Sequence, residues 1–438
     1  MTNCTQETFE FPSLKGRKIK AEFTGGDVTS DGGVLLLRAI DQRLKLTEQL
    51  LKIMPDRRNP HYIVHPMGSL LKQRIYGIAL GYEDLNDHTT LRNDIGFQTA
   101  VNRDEVLASS STLCRLENTS NRQVAIDINK LFVETFIKSF DQVPEELILD
   151  FDPTDDLVYG HQEKRFYHGY YGDYCFLPLY VFCGEHLLIS YLRPSNIDGA
   201  KHAWAILALL VKRFRKEWPR VKIIFRGDSG FCRNKVFSWC DRNDVHYITG
   251  IAKNNRLLEL SKDRREEAKI SYETSSEKQR LFDDFFYSAK SWNNQDRRII
   301  VKAEHTDKGE NPRFVVTNLS EDSQFLYEEI YCARGDMENR IKEQQLDLFA
   351  DRTSCHDWWS NQFRLLLSSC AYVLISGIRR IGLEDTELEK AQCGTIRLKL
   401  FKIGAVIIRN TRRIRFLLSS AYPYQALFLN VCAKLVPG

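Results

Sequence analysis

The chain has no Cys-x-x-Cys pair, no apolar run long enough to cross a bilayer, no internal repeat and no low-complexity block. Each absence excludes something. Eleven cysteines make an odd number, and the pairs Cys175/Cys183 and Cys232/Cys240, eight apart, fit no zinc-ligand spacing, so the cysteines read as small buried hydrophobes. The longest nearly apolar stretch, Leu365 to Ile378, is too short and too serine-rich to span a membrane. The opening Met1-Thr2-Asn3-Cys4-Thr5-Gln6-Glu7 lacks the basic-then-apolar pattern of a signal peptide. A cytoplasmic protein with no membrane partner is expected.

What is present is an ordinary globular composition. The 438 residues are 43% hydrophobic and 27% charged, enough for two or three domains with real cores. The net charge is only +4, but from Thr353 to Gly438 there are 12 Lys/Arg against 5 Asp/Glu, which leaves residues 1–352 at −3. A basic surface is therefore local to the C-terminal part.

The first 140 residues read as mostly helical. A strand at Arg17 to Phe23 and a Gly25-Gly26 turn precede a helix capped by Ser30 or Asp31 and carrying Val34, Leu37 and Ile40. Further helices are predicted at Met67 to Ala79 and at Asn121 to Phe140, where Val124, Ile128, Leu131, Phe132 and Phe136 form a buried face, with short ones around Glu83 to Arg92 and Ser111 to Glu117. From Glu146 the pattern turns to strands: Leu147 to Asp152, Cys175 to Phe182, and Leu187 to Leu192, the last two joined by a short Cys183-Gly184-Glu185-His186 hairpin connector. A helix at Ala200 to Trp218, a strand at Val221 to Phe225, a helix at Asn234 to Asn243 and a strand at Val245 to Ile251 follow. The order β-β-β-α-β-α-β predicts an α/β domain with a mixed sheet and helices on its faces. Residues 254–330 read as a β-rich insertion, with runs at Phe282 to Tyr287, Arg298 to Glu304 and Arg313 to Asn318. The predicted organisation is a helical N-terminal region (1–140), a catalytic domain (141–352) and a basic helical tail (353–438).

Three acids stand where chemistry is expected. Asp152 ends the run Leu147-Ile148-Leu149-Asp150-Phe151, Asp228 ends Val221-Lys222-Ile223-Ile224-Phe225-Arg226-Gly227, and Glu338 lies in a helix-like stretch. Carboxylates are poor strand formers, so acids directly after β-branched and aromatic runs point to side chains delivered to the rim of a sheet. Taken singly, such an Asp is most often a turn or a cap. Asp228 has more to commend it, because Gly227 and Gly230 flank it with the tight backbone geometry of a functional turn. Together, two strand-end aspartates and a helical glutamate suit hard divalent cations, which take oxygen ligands and support phosphoryl transfer.

The segments Asp152-Pro153-Thr154, Arg226-Gly227-Asp228-Ser229-Gly230-Phe231 and Tyr331-x-x-Arg334-x-x-x-Glu338 resemble the DDE transposases of bacterial insertion sequences, in the branch with a Tyr-Arg-Glu-Lys signature, most closely insertion-sequence group thirteen-eighty. The resemblance covers essentially the whole chain. It implies an RNase H-like catalytic domain in which Asp152, Asp228 and Glu338 bind two magnesium ions, with manganese as a substitute. It also implies that Tyr331 and Arg334 contact DNA phosphate, that terminal inverted repeats and target DNA are the partners, and that a homodimer works in the bacterial cytoplasm at the nucleoid. The signature lysine falls on Gln345; Lys342, one turn from Glu338, is the candidate substitute. Asp150 shares a strand face with Asp152 and remains an alternative first acid.

DNA contact is further expected of Arg397, Lys399, Lys402, Arg409, Arg412, Arg413 and Arg415, which interleave with apolar residues in a stretch free of acids from Gly394 to Ser420. The Lys212 to Lys216 cluster is a second basic candidate, His161 a candidate near substrate, and Trp292 either a stacking platform for an unpaired base or a core residue. Rival readings are a nuclease that cleaves without joining, a catalytically silent DNA-binding derivative, and a two-carboxylate glycosidase, which leaves the basic tail unexplained.

Overall fold

The computed structural model describes residues 8–436; Met1 to Glu7, on which the signal-peptide expectation rests, lie outside them. The chain divides into two compact units, one of Met1–Ser120, Asp347–Phe349 and Cys370–Gly438, the other of Asn121–Leu346 and Ala350–Ser369.

The second unit is built on a nine-stranded mixed sheet. Its order is Gln279–Ser288, Asp296–Thr306, Arg313–Thr317, His246–Ile251, Lys222–Gly227, Glu146–Pro153, Leu179–Cys183 and His186–Tyr191, with Gly309–Glu310 paired to Asp296–Thr306. Lys222–Gly227 is parallel to both of its neighbours, and the other pairings are antiparallel. Counting only the strands of this sheet, three strands, helix, strand, helix, strand follow in the predicted order from Glu146 to Ile251; three further short strands lie between the first two and form a sheet of their own. Leu147, Leu149 and Phe151 point into a core shared with Phe214 of the Ala203–Glu217 helix, Phe237 of the Asn234–Arg242 helix and Phe136 of the Arg122–Ile137 helix. A smaller cluster of Ile224, Ile248, Ile300 and Val315 covers the opposite face against Leu326 and Tyr327. Burial on both faces is why these strands read as nearly continuous apolar runs.

Several boundaries differ from the sequence expectation. The Arg122–Ile137 helix, assigned from sequence to the N-terminal region, belongs to the sheet unit: Asn129 bonds both backbone groups of Ser190, and Glu134 pairs with Arg213. The run Cys175 to Phe182 is two strands, because Pro178 lacks the N–H a continuous ladder needs. Its first half, Asp173–Phe176, joins Asp156–Leu157 and Phe166–His168 in a separate three-stranded sheet. The stretch read as a β-rich insertion opens with the helices Asn255–Leu260 and Lys262–Ser275, and its strands extend the edge of the main sheet.

In the first unit, the helices Val34–Leu44, Leu46–Ile53, Met67–Leu80, Ile95–Ala100 and Ser110–Glu117 bury Leu37, Ile40, Ile75, Phe97 and Leu113. Asp31 does not cap the first of them with its side chain; its carboxylate accepts from Tyr82 and pairs with Lys402. A Cβ on Gly33 would lie 1.7 Å from the Leu400 carbonyl oxygen, so only glycine allows that approach. The tail is not helical throughout. Ala405–Arg409 and Ile414–Leu418 form a hairpin whose first strand also pairs with Val28–Thr29. Phe9–Leu14 and Arg17–Ala21 make a second, exposed hairpin.

Every described cysteine is a free thiol. Cys175, Cys240, Cys370 and Cys393 are buried as expected, whereas Cys114 and Cys332 are exposed. Among the described residues, one helix, Trp358–Gly382, is long and apolar enough to cross a membrane by composition, and 89% of its most apolar window is buried inside the protein.

Candidate active site

The two central parallel strands set the site. Asp150 lies opposite Arg226 and Phe151 opposite Gly227, so Asp152 and Asp228 come one step beyond the last paired residues, at the carboxyl ends of neighbouring strands. Ligands of open α/β sheets collect at such ends. Asp228 leaves its strand as the cap of a tight turn, its Oδ1 accepting from the Gly230 N–H at 2.8 Å. Glycine at position 250 of the next strand leaves room above it: a Cβ there would meet the Tyr331 hydroxyl at 2.6 Å and the Ser229 nitrogen at 3.1 Å. Tyr331 is thus set over the strand end beside Asp228.

Glu338 stands on the Gly335–Lys342 helix, and Arg334 precedes that helix by one residue. The Arg334 guanidinium joins the acids, donating from Nη2 to Glu338 Oε1 at 2.7 Å and from Nη1 to Asp152 Oδ2 at 3.4 Å. Burial pushes the Asp152 carboxyl up to about 7; Arg334 opposes this, while Asp228, Glu338 and Asp150 add to it. Burial works against the Arg334 charge, yet Asp152 and Glu338 hold its pKa above the ordinary value. Burial is also the main reason the Tyr331 hydroxyl is harder to ionise. Asp152 therefore senses both other acids, and Arg334 bonds two of the three.

The donor chemistry fits a hard divalent cation: three carboxylates, and on Asp152 a carboxyl raised first by burial and then by its acidic neighbours, which Arg334 offsets only in part and added positive charge would relieve. Among the described residues no three metal-ligating side chains are gathered into a ready chelate. Arg334 supplies the positive charge at this spot.

Asp150, the alternative first acid, is engaged elsewhere. It is buried and gripped by both Arg226 Nε and Nη2, the latter at 2.7 Å, while Arg226 Nη1 donates to the Ile330 carbonyl just before Tyr331. Sequence reasoning did not single out Arg226. The available signal was an arginine inside an otherwise apolar strand, which must find a partner when buried. Gln345, at the position of the signature lysine, donates to Asp156 Oδ1 at 3.0 Å and the Asp155 carbonyl at 2.9 Å. Asp156 is fully buried, which raises its pKa well above the carboxylate range, so an uncharged amide is a suitable neighbour. Lys342 is exposed on the same helix as Glu338.

The basic candidates divide. Arg397 is used internally, donating to the Ala79 and Asp347 carbonyls, and Lys402 pairs with Asp31 at 2.7 Å while lying over the Tyr82 ring. Lys399 lies over Tyr424 at 4.8 Å. Arg409, Arg412, Arg413 and Arg415 are exposed on the hairpin and its turn, where the Asn410 side chain accepts from the Arg412 and Arg413 N–H groups. In the Lys212 to Lys216 cluster, Arg213 is paired with Glu134, and Arg215 donates to the Asn243 and Asp244 carbonyls. Trp292 is 3% exposed, packed on Phe237 and Tyr287, so it is a core residue and no stacking platform. His161 is exposed, with Nδ1 3.0 Å from Arg165.

The family model of the transposase DDE domain, group 1, matches residues 11–437. The chain belongs to that family. Members normally use divalent metal ions. Among solved structures, the cryo-EM structure of the piggyBac transposase synaptic complex with hairpin DNA is similar at 10% identity and a TM-score of 0.42, covering 85% of this chain and 80% of that one. No curated protein matches the chain.

Proposed function

We propose that the chain is a DNA transposase of a bacterial insertion sequence, in the Tyr-Arg-Glu-Lys branch and insertion-sequence group thirteen-eighty. It binds the terminal inverted repeats of its element as a homodimer, cuts DNA at those ends and joins the freed 3′-hydroxyls to target DNA, in the cytoplasm at the nucleoid. One observation carries this reading: Asp152 and Glu338 share Arg334, and Asp228 and Glu338 both act on the Asp152 charge. Three antiparallel strands followed by two helix-and-parallel-strand steps support an RNase H-like catalytic core.

Asp152, Asp228 and Glu338 would hold two divalent ions, magnesium by preference and manganese as a substitute. Such ions lower the pKa of an attacking water and neutralise charge on the phosphate. The rest falls to the chain. Arg334 carries a planar fork of donors suited to a phosphate as well as to the carboxylates it bonds here, and Tyr331 offers a hydroxyl beside the Asp228 turn. Arg226 keeps Asp150 neutralised and ties the Ile330 carbonyl to the sheet, so the segment leading to Glu338 is positioned from the strand that ends in Asp228.

The test is a plasmid carrying the DNA that flanks this reading frame, incubated with purified protein and magnesium or manganese. Nicking at the ends and strand transfer are expected, and Asp228→Asn or Glu338→Gln should each lower cleavage by more than about a hundredfold. Full activity in either variant would remove the assignment. A second reading, a catalytically silent DNA-binding derivative, has in its favour Gln345 at the lysine position. Metal-dependent nicking by the wild type excludes it, and the strand-transfer product separates a transposase from a nuclease that only cuts.

A further inference from the structure

The stacking surface that Trp292 does not supply is present elsewhere in the same unit. The small sheet of Asp156–Leu157, Phe166–His168 and Asp173–Phe176 and its connections carry several uncovered rings: Tyr167 is 58% and Tyr174 45% exposed on the strands, and Tyr159 and Tyr170 are each 86% exposed in the connections. Tyrosines are normally drawn into cores by their large apolar faces, so several together in water mark an interaction surface.

The rings form two groups. Tyr167 and Tyr174 pair across the hairpin with centroids 5.8 Å apart, and the Arg165 guanidinium lies 4.8 Å from the Tyr174 ring. At the connection between the two strands, Tyr171 contacts His168 at 4.8 Å and Tyr170 at 5.0 Å. The chain itself joins this surface to the acids: Asp156–Leu157, the first strand of the small sheet, follows directly on Glu146–Pro153, and Gln345, beyond the Glu338 helix, donates to Asp156 Oδ1 at 3.0 Å. Burial, together with the charges of Asp155 and Asp152, raises the Tyr171 hydroxyl to about 12. The first hairpin strand and the segment leading into it are anchored. Ser195 donates to the Phe166 carbonyl, Gln162 to the Thr353 carbonyl and Glu163 to the His356 carbonyl, while Lys164 lies over the Trp358 ring. The hairpin thus leaves an anchored base.

We propose that this aromatic hairpin binds unpaired bases of the DNA strand whose end is being processed, stacking them on Tyr170, Tyr167 and Tyr174. The inference rests on the transposase reading and names the partner of that same site. Bases fit these observations better than a protein partner does. The most exposed faces are aromatic, one ring already carries a guanidinium, and the small sheet continues the chain directly from the strand that delivers Asp152. Stacking on such platforms tolerates any base sequence.

The experiment uses the full chain and three probes: a blunt duplex, the same duplex with a four-base single-stranded extension containing 2-aminopurine, and that extension made abasic. The wild type should bind the extended duplex about tenfold more tightly than the other two and quench the 2-aminopurine. Tyr170→Ala with Tyr167→Ala should lose the preference and the quenching while binding the blunt duplex normally; Tyr170→Phe with Tyr167→Phe should keep both. Equal affinity of the wild type for base-bearing and abasic extensions overturns the inference and leaves the transposase reading standing. So does an alanine variant that retains the preference, or one whose only change is lost self-association in sedimentation, which would make this face a contact between copies. Failure of the wild type to bind any of the three probes would overturn both.

Discussion

At the sheet rim, Asp150 and Asp152 sit two residues apart on one strand face and meet different fates. Between Gly394 and Ser420, basic residues that look alike in sequence divide in the same way. Asp150 is buried and gripped at two points by Arg226, whereas Asp152 has one long contact of 3.4 Å to Arg334 and a carboxyl raised by burial. Arg397 and Lys402 are bound into their own unit, whereas Arg412 and Arg413 stand in solvent on a hairpin turn. In both regions a charge held by the fold serves position, and a charge left without a full set of partners is available to a ligand.

The sharpest way to break this comparison is at the buried pair. Arg226→Leu leaves Asp150 uncompensated and frees the Ile330 carbonyl; it should cost about 3–5 kcal/mol in denaturant unfolding. An Arg226→Leu protein as stable as the wild type would contradict the structural role. Less is expected of Arg397→Ala, which leaves two carbonyls short of a donor. A loss of about 1–3 kcal/mol should appear with little change in the salt dependence of DNA binding. The exposed arginines should behave oppositely. Arg412→Ala with Arg413→Ala should leave the unfolding midpoint in place and lower the slope of log affinity against log salt by about 2, one per phosphate contact. If Arg397→Ala moves the slope and the double variant moves the midpoint, the division of cations is wrong.

The smallest effect concerns pH. Asp152 titrates at about 7 in the folded chain against 3.8 ordinarily, so the folded state holds a proton that the unfolded state has released. Stability from this source is complete below the ordinary value and is lost as pH rises through about 7. In thermal melts without metal, Asp152→Asn should therefore flatten the decline between pH 4 and 8 and raise the midpoint at pH 8 by roughly 2–4 °C. The slope will not vanish, because burial raises the Asp150 and Asp156 pKa values in the same direction.

The part of the molecule that announced itself was the part where local pattern and tertiary role agree. Acids directly after Phe151 and Gly227 point to a sheet rim, and the alternation of apolar strands and amphipathic helices gives the succession of the central elements along the chain, though not their order across the sheet. What stayed hidden depends on partners distant in the chain. Choosing Asp152 over Asp150 on physical grounds needs the register that sets Arg226 opposite Asp150. That Arg397 is spoken for depends on Ala79, more than three hundred residues earlier. The Ala405–Arg409 and Ile414–Leu418 hairpin was legible in principle, since Val406-Ile407-Ile408 and Ile414-Arg415-Phe416 are β-branched and aromatic runs flanking an Asn-containing turn. The abundance of arginine there suggested a helix face instead. The tyrosines of residues 159–174 carried no periodicity to distinguish exposed rings from buried ones.

The central claim is that Asp152, Asp228 and Glu338 grip common divalent cations. Calorimetric titration of manganese into the full chain, wild type beside Asp228→Asn and Glu338→Gln, measures it most directly and without DNA. The account predicts saturable binding by the wild type that weakens at least about tenfold in each variant, with metal-dependent thermal stabilisation lost in parallel. Equal binding by all three proteins, or none by a wild type that nonetheless cuts DNA, would contradict it.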